Sequence, residues 1–165
     1  MKISLLPFAD VDQEVIHVLK KELEALGGGI IVLPSEQIPR QSYSPIRGQY
    51  LAKFLSDVAN MKEGDVVLGV TDIDLYSGDL NFVLGVADIK SGKGAVISTN
   101  RLKSADRNLF LGRAVKEAFH EIGHLKGLKH CDDVRCVMHF SNRVADTDVK
   151  EKEYCQSCRG RMIEL

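Results

Sequence analysis

The chain has 165 residues, 44% of them apolar and 27% charged, and its 22 basic residues nearly balance 23 acidic ones. That length fits one domain with its own core, and the composition excludes a disordered or collagen-like chain. A formal net charge of −1 does not recommend nucleic acid or an anionic membrane as the main partner.

The opening M-K-I-S-L-L-P-F-A-D holds an apolar stretch that stops at Asp10. It is too short for a signal peptide or a membrane span, so a cytoplasmic chain with reduced thiols is expected. Ile3 to Leu6 reads as a short strand. Val11, Val15, Val18, Leu19, Leu23 and Leu26 have helical spacing, and Gly27-Gly28-Gly29 stops that helix. Ile30 to Leu33 reads as a buried β-branched strand, and Pro34 to Gly48, with three of the four prolines, as a surface loop. A helix is expected over Gln49 to Met61. Strands are expected over Asp65 to Leu75, Phe82 to Ile89 and Ala95 to Thr99. The short Tyr76–Asp79 link predicts that the first two of these pair antiparallel, which makes one of them a sheet edge. Ser104 to Lys126 is helical again. Leu111, Val115, Ala118, Ile122 and Leu125 form its apolar face, and Arg113, Glu117, His120 and His124 follow the same steps on another.

This alternation predicts an α/β fold: a mixed, twisted sheet with an antiparallel edge strand, covered by helices. The expected division is a sheet-and-helix part over 1–127 and a small C-terminal subdomain over 128–165, within one compact domain.

The chemistry concentrates in H-E-I-G-H-L-K-G-L-K-H, residues 120 to 130. His120 and His124 stand one helical turn apart, where two imidazoles can share one metal. Glu121 lies about 100° around the helix, on the side where a metal-held water would sit, which suits a water-activating base. Gly127 can take the left-handed conformation that ends a helix, letting His130 swing back toward the same metal. Three neutral imidazoles with an open fourth position describe a catalytic zinc. All four cysteines fall in the last 35 residues, at Cys131, Cys136, Cys155 and Cys158. Paired spacing in an intracellular chain favours a closed structural zinc site over disulfides or an iron–sulfur cluster.

The extended H-E-x-x-H-x-x-G-x-x-H motif is similar to that of the metzincin zinc peptidases, which also place a methionine turn beneath the metal. Cys131 directly after the third histidine, the C-x4-C-x-M pattern through Met138 and the later C-x2-C resemble the archaemetzincins. So do G-V-T-D-I-D-L-Y (69–76), L-N-F-V-L-G-V-A (80–87) and I-S-T-N-R-L (97–102). The resemblance implies a metzincin-like sheet and a peptidase acting on a peptide or protein substrate. It implies two Zn2+, one on His120, His124 and His130, the other on Cys131, Cys136, Cys155 and Cys158. Glu121 would be the general base and Met138 the turn methionine. A substrate would lie extended along Phe82, Val83, Leu84, Gly85 and Val86, adding a strand. Gly85 there would allow close backbone approach or mark a simple bulge.

Some metzincins carry a tyrosine where this chain has Phe140, so the oxyanion needs another partner. His139 is one candidate for it, a surface histidine the other reading, and His17 is assigned to packing or solvent. No pro-segment and no spare cysteine is expected to restrain activity. The competing class is a catalytically silent, zinc-stabilised binder of peptides or of nucleic acid, the latter through Arg135, Arg159 and Arg161.

Overall fold

The computed structural model describes residues 1–162; the last positions of the expected C-terminal subdomain, 163–165, lie outside the described residues. Strand β1 (Lys2–Pro7) leads to helix α1 (Gln13–Leu23), whose cap Asp12 accepts the Glu14 N–H at 3.0 Å. A short 3-10 turn, Glu24–Leu26, extends α1, and Gly27 and Gly28 then take positive φ and release the chain into β2 (Gly29–Val32). The expected loop over 34–48 contains a 3-10 turn at Arg40–Ser42 and strand β3 (Tyr43–Ser44). The expected helix over 49–61 begins as strand β4 (Gln49–Leu51) and becomes α2 only at Ala52–Asn60. Then come β5 (Val66–Thr71), β6 (Leu75–Tyr76), β7 (Gly85–Ala87), β8 (Gly94–Ser98) and the long helix α3 (Arg107–Leu125). Two short helices, α4 (Val144–Val149) and α5 (Gln156–Arg159), follow.

The main sheet has the order β2-β1-β5-β8-β7, parallel throughout except at β7, which runs antiparallel on one edge. Strands β3, β4 and β6 form a second, small sheet. Strand β5 is buried along its whole length. Its Val66, Leu68 and Val70 join the core with α1 and α3, and Val67 joins that with α2, so the central strand reads as a continuous apolar run.

Three expectations need correction. The Ile30–Leu33 strand is the opposite edge of the sheet rather than a buried strand, and Val32 is 44% exposed. The antiparallel partner of β7 is β8, reached through residues 88–93, because β8 lies between β5 and β7. The Tyr76–Asp79 turn instead closes an isolated bridge between Leu75 and Val83. The Phe82–Ile89 strand is cut to Gly85–Ala87, since Val83 turns its N–H to Leu75 before it and Ile89 folds its N–H back onto the Ala87 carbonyl after it.

Helix α3 runs antiparallel to β8 and so alongside β7. At one end Arg113 Nη1 donates to the Leu102 carbonyl at 3.0 Å, just past β8. At the other, a Cβ on Gly92 would meet the Leu125 carbonyl at 3.9 Å. This crossing lays one face of α3 beneath the free edge of β7.

Candidate active site and cysteine cluster

A cleft of about 450 Å³ opens between β7 and α3. Its floor holds His120, Glu121, His124 and His130, and its upper rim runs from Leu80 to Ala87. Successive residues on a strand turn their main-chain groups to opposite sides. Ser98 N–H donates to Leu84 and Asp88 N–H to Gly94, so Leu84, Val86 and Asp88 face β8 while Gly85 offers its N–H and C=O outward and Ala87 its N–H, the Ala87 carbonyl accepting from Ile89 N–H at 3.1 Å.

One nitrogen on each of the three histidines lies within 4.8 Å of the others. Helix α3 supplies His120 and His124. Past Lys126 it ends in two reversed hydrogen bonds, Gly127 N–H to His124 and Leu128 N–H to Gly123, both 3.0 Å, with Gly127 at φ +83°. That turn brings His130 back, its ring centroid 5.4 Å from that of His120 and 4.9 Å from that of His124. His120 Nδ1 is 2.8 Å from the Val137 carbonyl and His124 Nδ1 2.8 Å from the Leu128 carbonyl. A carbonyl only accepts, so both Nδ1 atoms carry the proton and both Nε2 atoms present lone pairs. Those two Nε2 atoms face each other at 3.1 Å. Neutral lone pairs at that separation call for a shared cation, and tetrahedral zinc with bonds near 2.0–2.1 Å would set its ligand nitrogens about 3.3 Å apart. Burial holds His120 well below the usual imidazole range and lowers His124 and His130 as well, which keeps all three in the ligating form.

Glu121 is buried beneath Gly85. Burial pushes its carboxyl well above the usual range; Glu117 adds to the shift and Lys150 opposes it. A Cβ on Gly85 would meet Glu121 Oε1 at 2.7 Å and its Cγ at 2.8 Å, so the glycine makes room for the carboxylate rather than forming a bulge. Gly123 does the same for Met138, whose sulfur would collide with a Cβ there. Met138 is fully buried, its sulfur packed against Gly123 of α3.

Cys131, Cys136, Cys155 and Cys158 bring their sulfurs within 4.8 Å of one another. Cys131 and Cys155 Sγ are 3.8 Å apart, matching the roughly 3.8 Å edge of a tetrahedron with 2.3 Å zinc–sulfur bonds. The Cys158 backbone N–H draws Cys155 down to about 7, while burial pushes Cys158 up to about 12. Tyr154, next to Cys155, donates its hydroxyl to the Phe119 carbonyl at 2.6 Å and so ties this cluster to α3.

The remaining candidates are placed as follows. His139 does not line the cleft; its Nδ1 donates to the Cys131 carbonyl at 2.8 Å and braces the turn. His17 is exposed to solvent on α1. Phe140 packs its ring 4.9 Å from that of His130. Arg135 pairs with Glu151, Arg159 donates to the Tyr154 carbonyl and Arg161 to the Ser157 carbonyl. Phe82 stays on the rim, with the Arg101 guanidinium stacked 4.2 Å from its ring centre. Sequence reasoning missed Lys150, which lines the cleft beside Glu117, because D-T-D-V-K-E-K-E reads as solvated surface. Glu117 was readable only as part of the polar stripe of α3.

Comparison with known proteins agrees with this geometry. Residues 7–164 match Peptidase family M54. An archaemetzincin of Methanocaldococcus jannaschii is 41% identical, the match covering 98% of this chain and 93% of the relative. The crystal structure of Archaeoglobus fulgidus archaemetzincin, solved with malonate, superposes with a TM-score of 0.88 at 39% identity, covering 98% of this chain and all of that one. A zinc-dependent peptidase from Methanocorpusculum labreanum gives 0.81 at 31% identity, covering 96% and 98%. Likeness over nearly the whole length makes this protein a zinc metallopeptidase. Within that class the chain belongs to Peptidase family M54, the archaemetzincins. Among the described residues, no helix is long and apolar enough to cross a membrane.

Proposed function

We propose that this chain cleaves peptide bonds with one zinc held by His120, His124 and His130 and Glu121 as general base. The observation that carries this reading is the pair of Nε2 lone pairs 3.1 Å apart, each fixed by a main-chain carbonyl on the other ring nitrogen. Zinc bound there would acidify a water and polarise the scissile carbonyl. Glu121, beneath Gly85 and next to His120, is the group placed to accept a proton from an attacking water and return it to the leaving amine, and burial raises its proton affinity. The substrate pairs as an added strand with the outward N–H and C=O of Gly85 and the N–H of Ala87, with its carbonyl above Glu121. Phe140 has no proton to give and serves to pack His130. A second zinc on Cys131, Cys136, Cys155 and Cys158 organises the segment after Gly127 as a small subdomain against α3.

The test is zinc analysis together with peptide-library cleavage by wild type and by Glu121→Ala. Both proteins should carry two zinc ions per chain, and cleavage should fall about 10²–10⁴-fold in the variant. Equal cleavage by the two would remove Glu121 from the mechanism, and a wild type with no zinc on its histidines would remove the mechanism itself.

A further inference from the structure

We propose that Lys150 is a positioning residue for the histidine site, with Glu117 as its counter-ion; the inference rests on the zinc reading of that site. Lys150 is 1% exposed although it follows a helix in a charged stretch. Its Nζ lies 3.2 Å from Glu117 Oε1 and donates to the His139 carbonyl at 3.3 Å. Glu117 Oε1 has no aligned donor, so the ammonium and carboxylate attract as charges at low dielectric rather than through a directed hydrogen bond.

The ammonium therefore joins segments that carry different parts of the site. Glu117 stands three residues before His120 and four before Glu121 on α3. The His139 carbonyl follows Met138 in the turn, and the His139 ring binds the Cys131 carbonyl beside His130. The backbone bearing Lys150 is itself pinned to α3. Arg113 holds the Asp148 carboxylate with two bonds of 2.7 Å, and Lys116 Nζ donates to the Thr147 carbonyl at 3.0 Å. Lys150 thus sets the gap between the helix holding two imidazoles and the turn that steadies the third. A buried ion pair is a poor device for stability alone, because apolar side chains of similar volume often serve as well. Its place under this cleft points to geometry as its use.

The experiment compares wild type with Lys150→Met, Glu117→Gln and the double variant. Lys150→Met strands a buried carboxylate and should melt lowest. The double variant carries neither charge and should regain most of that loss. Even so, it should release its histidine-held zinc to a chelator roughly 10- to 100-fold faster than wild type, keep the sulfur-held zinc, and show lower kcat at little-changed KM. Glu117→Gln, which keeps shape and an acceptor for the ammonium, should show the same change in milder form, and it decides the matter if the double variant does not fold. Wild-type zinc release and kcat in the folded variants overturn the proposal. A wild type without histidine-held zinc overturns the zinc reading and this inference with it.

Discussion

Gly85→Ala tests whether strand edge and base share one volume. The added methyl would meet Glu121 Oε1 at 2.7 Å, its Cγ at 2.8 Å and the Val96 carbonyl at 2.9 Å. The first two contacts belong to a side chain that can rotate only away from its working position. The third belongs to the backbone of β8, which yields only by opening the β7–β8 ladder. Overpacking of this kind costs about 1–3 kcal/mol. For a chain of this size each kcal/mol lowers the melting temperature by roughly 2–4 °C, so a fall of about 2–12 °C is expected. A displacement of the base near 1 Å costs on the order of 10²-fold in turnover. His120 and His124 keep their own carbonyl partners, so zinc content should not change. The assay is kcat and KM on a cleavable peptide, with melting and metal analysis on the same sample. Wild-type kcat and melting in Gly85→Ala would refute the shared-volume argument, and loss of zinc would move the defect from the base to the metal.

Three further outcomes follow from the same contacts. Cys158→Ser should weaken retention of both proposed zinc ions, since His130 and Cys131 are neighbours and their α-carbons stand about 3.8 Å apart; metal analysis finding the histidine site fully loaded would break that coupling. Tyr154→Phe removes the hydroxyl bond to the Phe119 carbonyl and should cost about 0.5–1.5 kcal/mol, read by denaturant unfolding, with an unchanged midpoint as the contrary result. Acidification should destabilise the protein and strip the histidine site. Burial depresses the folded-state pKa of all three imidazoles, so the unfolded chain takes up protons first as pH falls through about 6.5. The stability held by neutral imidazoles is present above that value and is lost below it, and protons compete with zinc for the same lone pairs. Melting and zinc content should both fall between about pH 7.5 and about pH 5.5, and a melting temperature that rises over that interval would contradict the argument.

The histidine helix was legible because its chemistry is local. His120, His124 and Gly127 lie within three turns, and one periodicity governs all of them. The central strands were legible because both faces of β5 are buried, which leaves an unbroken apolar run. Pairing was not, since the partner of β7 depends on which strand the sheet inserts beside it, and nothing in residues 82–89 carries that information. The edge position of β2 was lost in the same way: Ile30 and Ile31 have β-branched side chains whether a neighbour lies beyond them or not. Lys150 was invisible because charge pattern predicts solvent, and only the tertiary meeting with Glu117 makes burial tolerable. Gly85 was noticed, but its reason lies 36 positions later in the chain, at Glu121.

The adjacency of His130 and Cys131 bears on how the protein is made. A growing polypeptide completes the long helix with two imidazoles well before the fourth thiol of the cluster, at position 158, has been synthesised. If the sulfur cluster is what seats residue 130, the third ring stays unanchored through that interval. A nascent peptidase would then be harmless to itself and its surroundings until residue 158 is added, with the timing written into the order of the sequence.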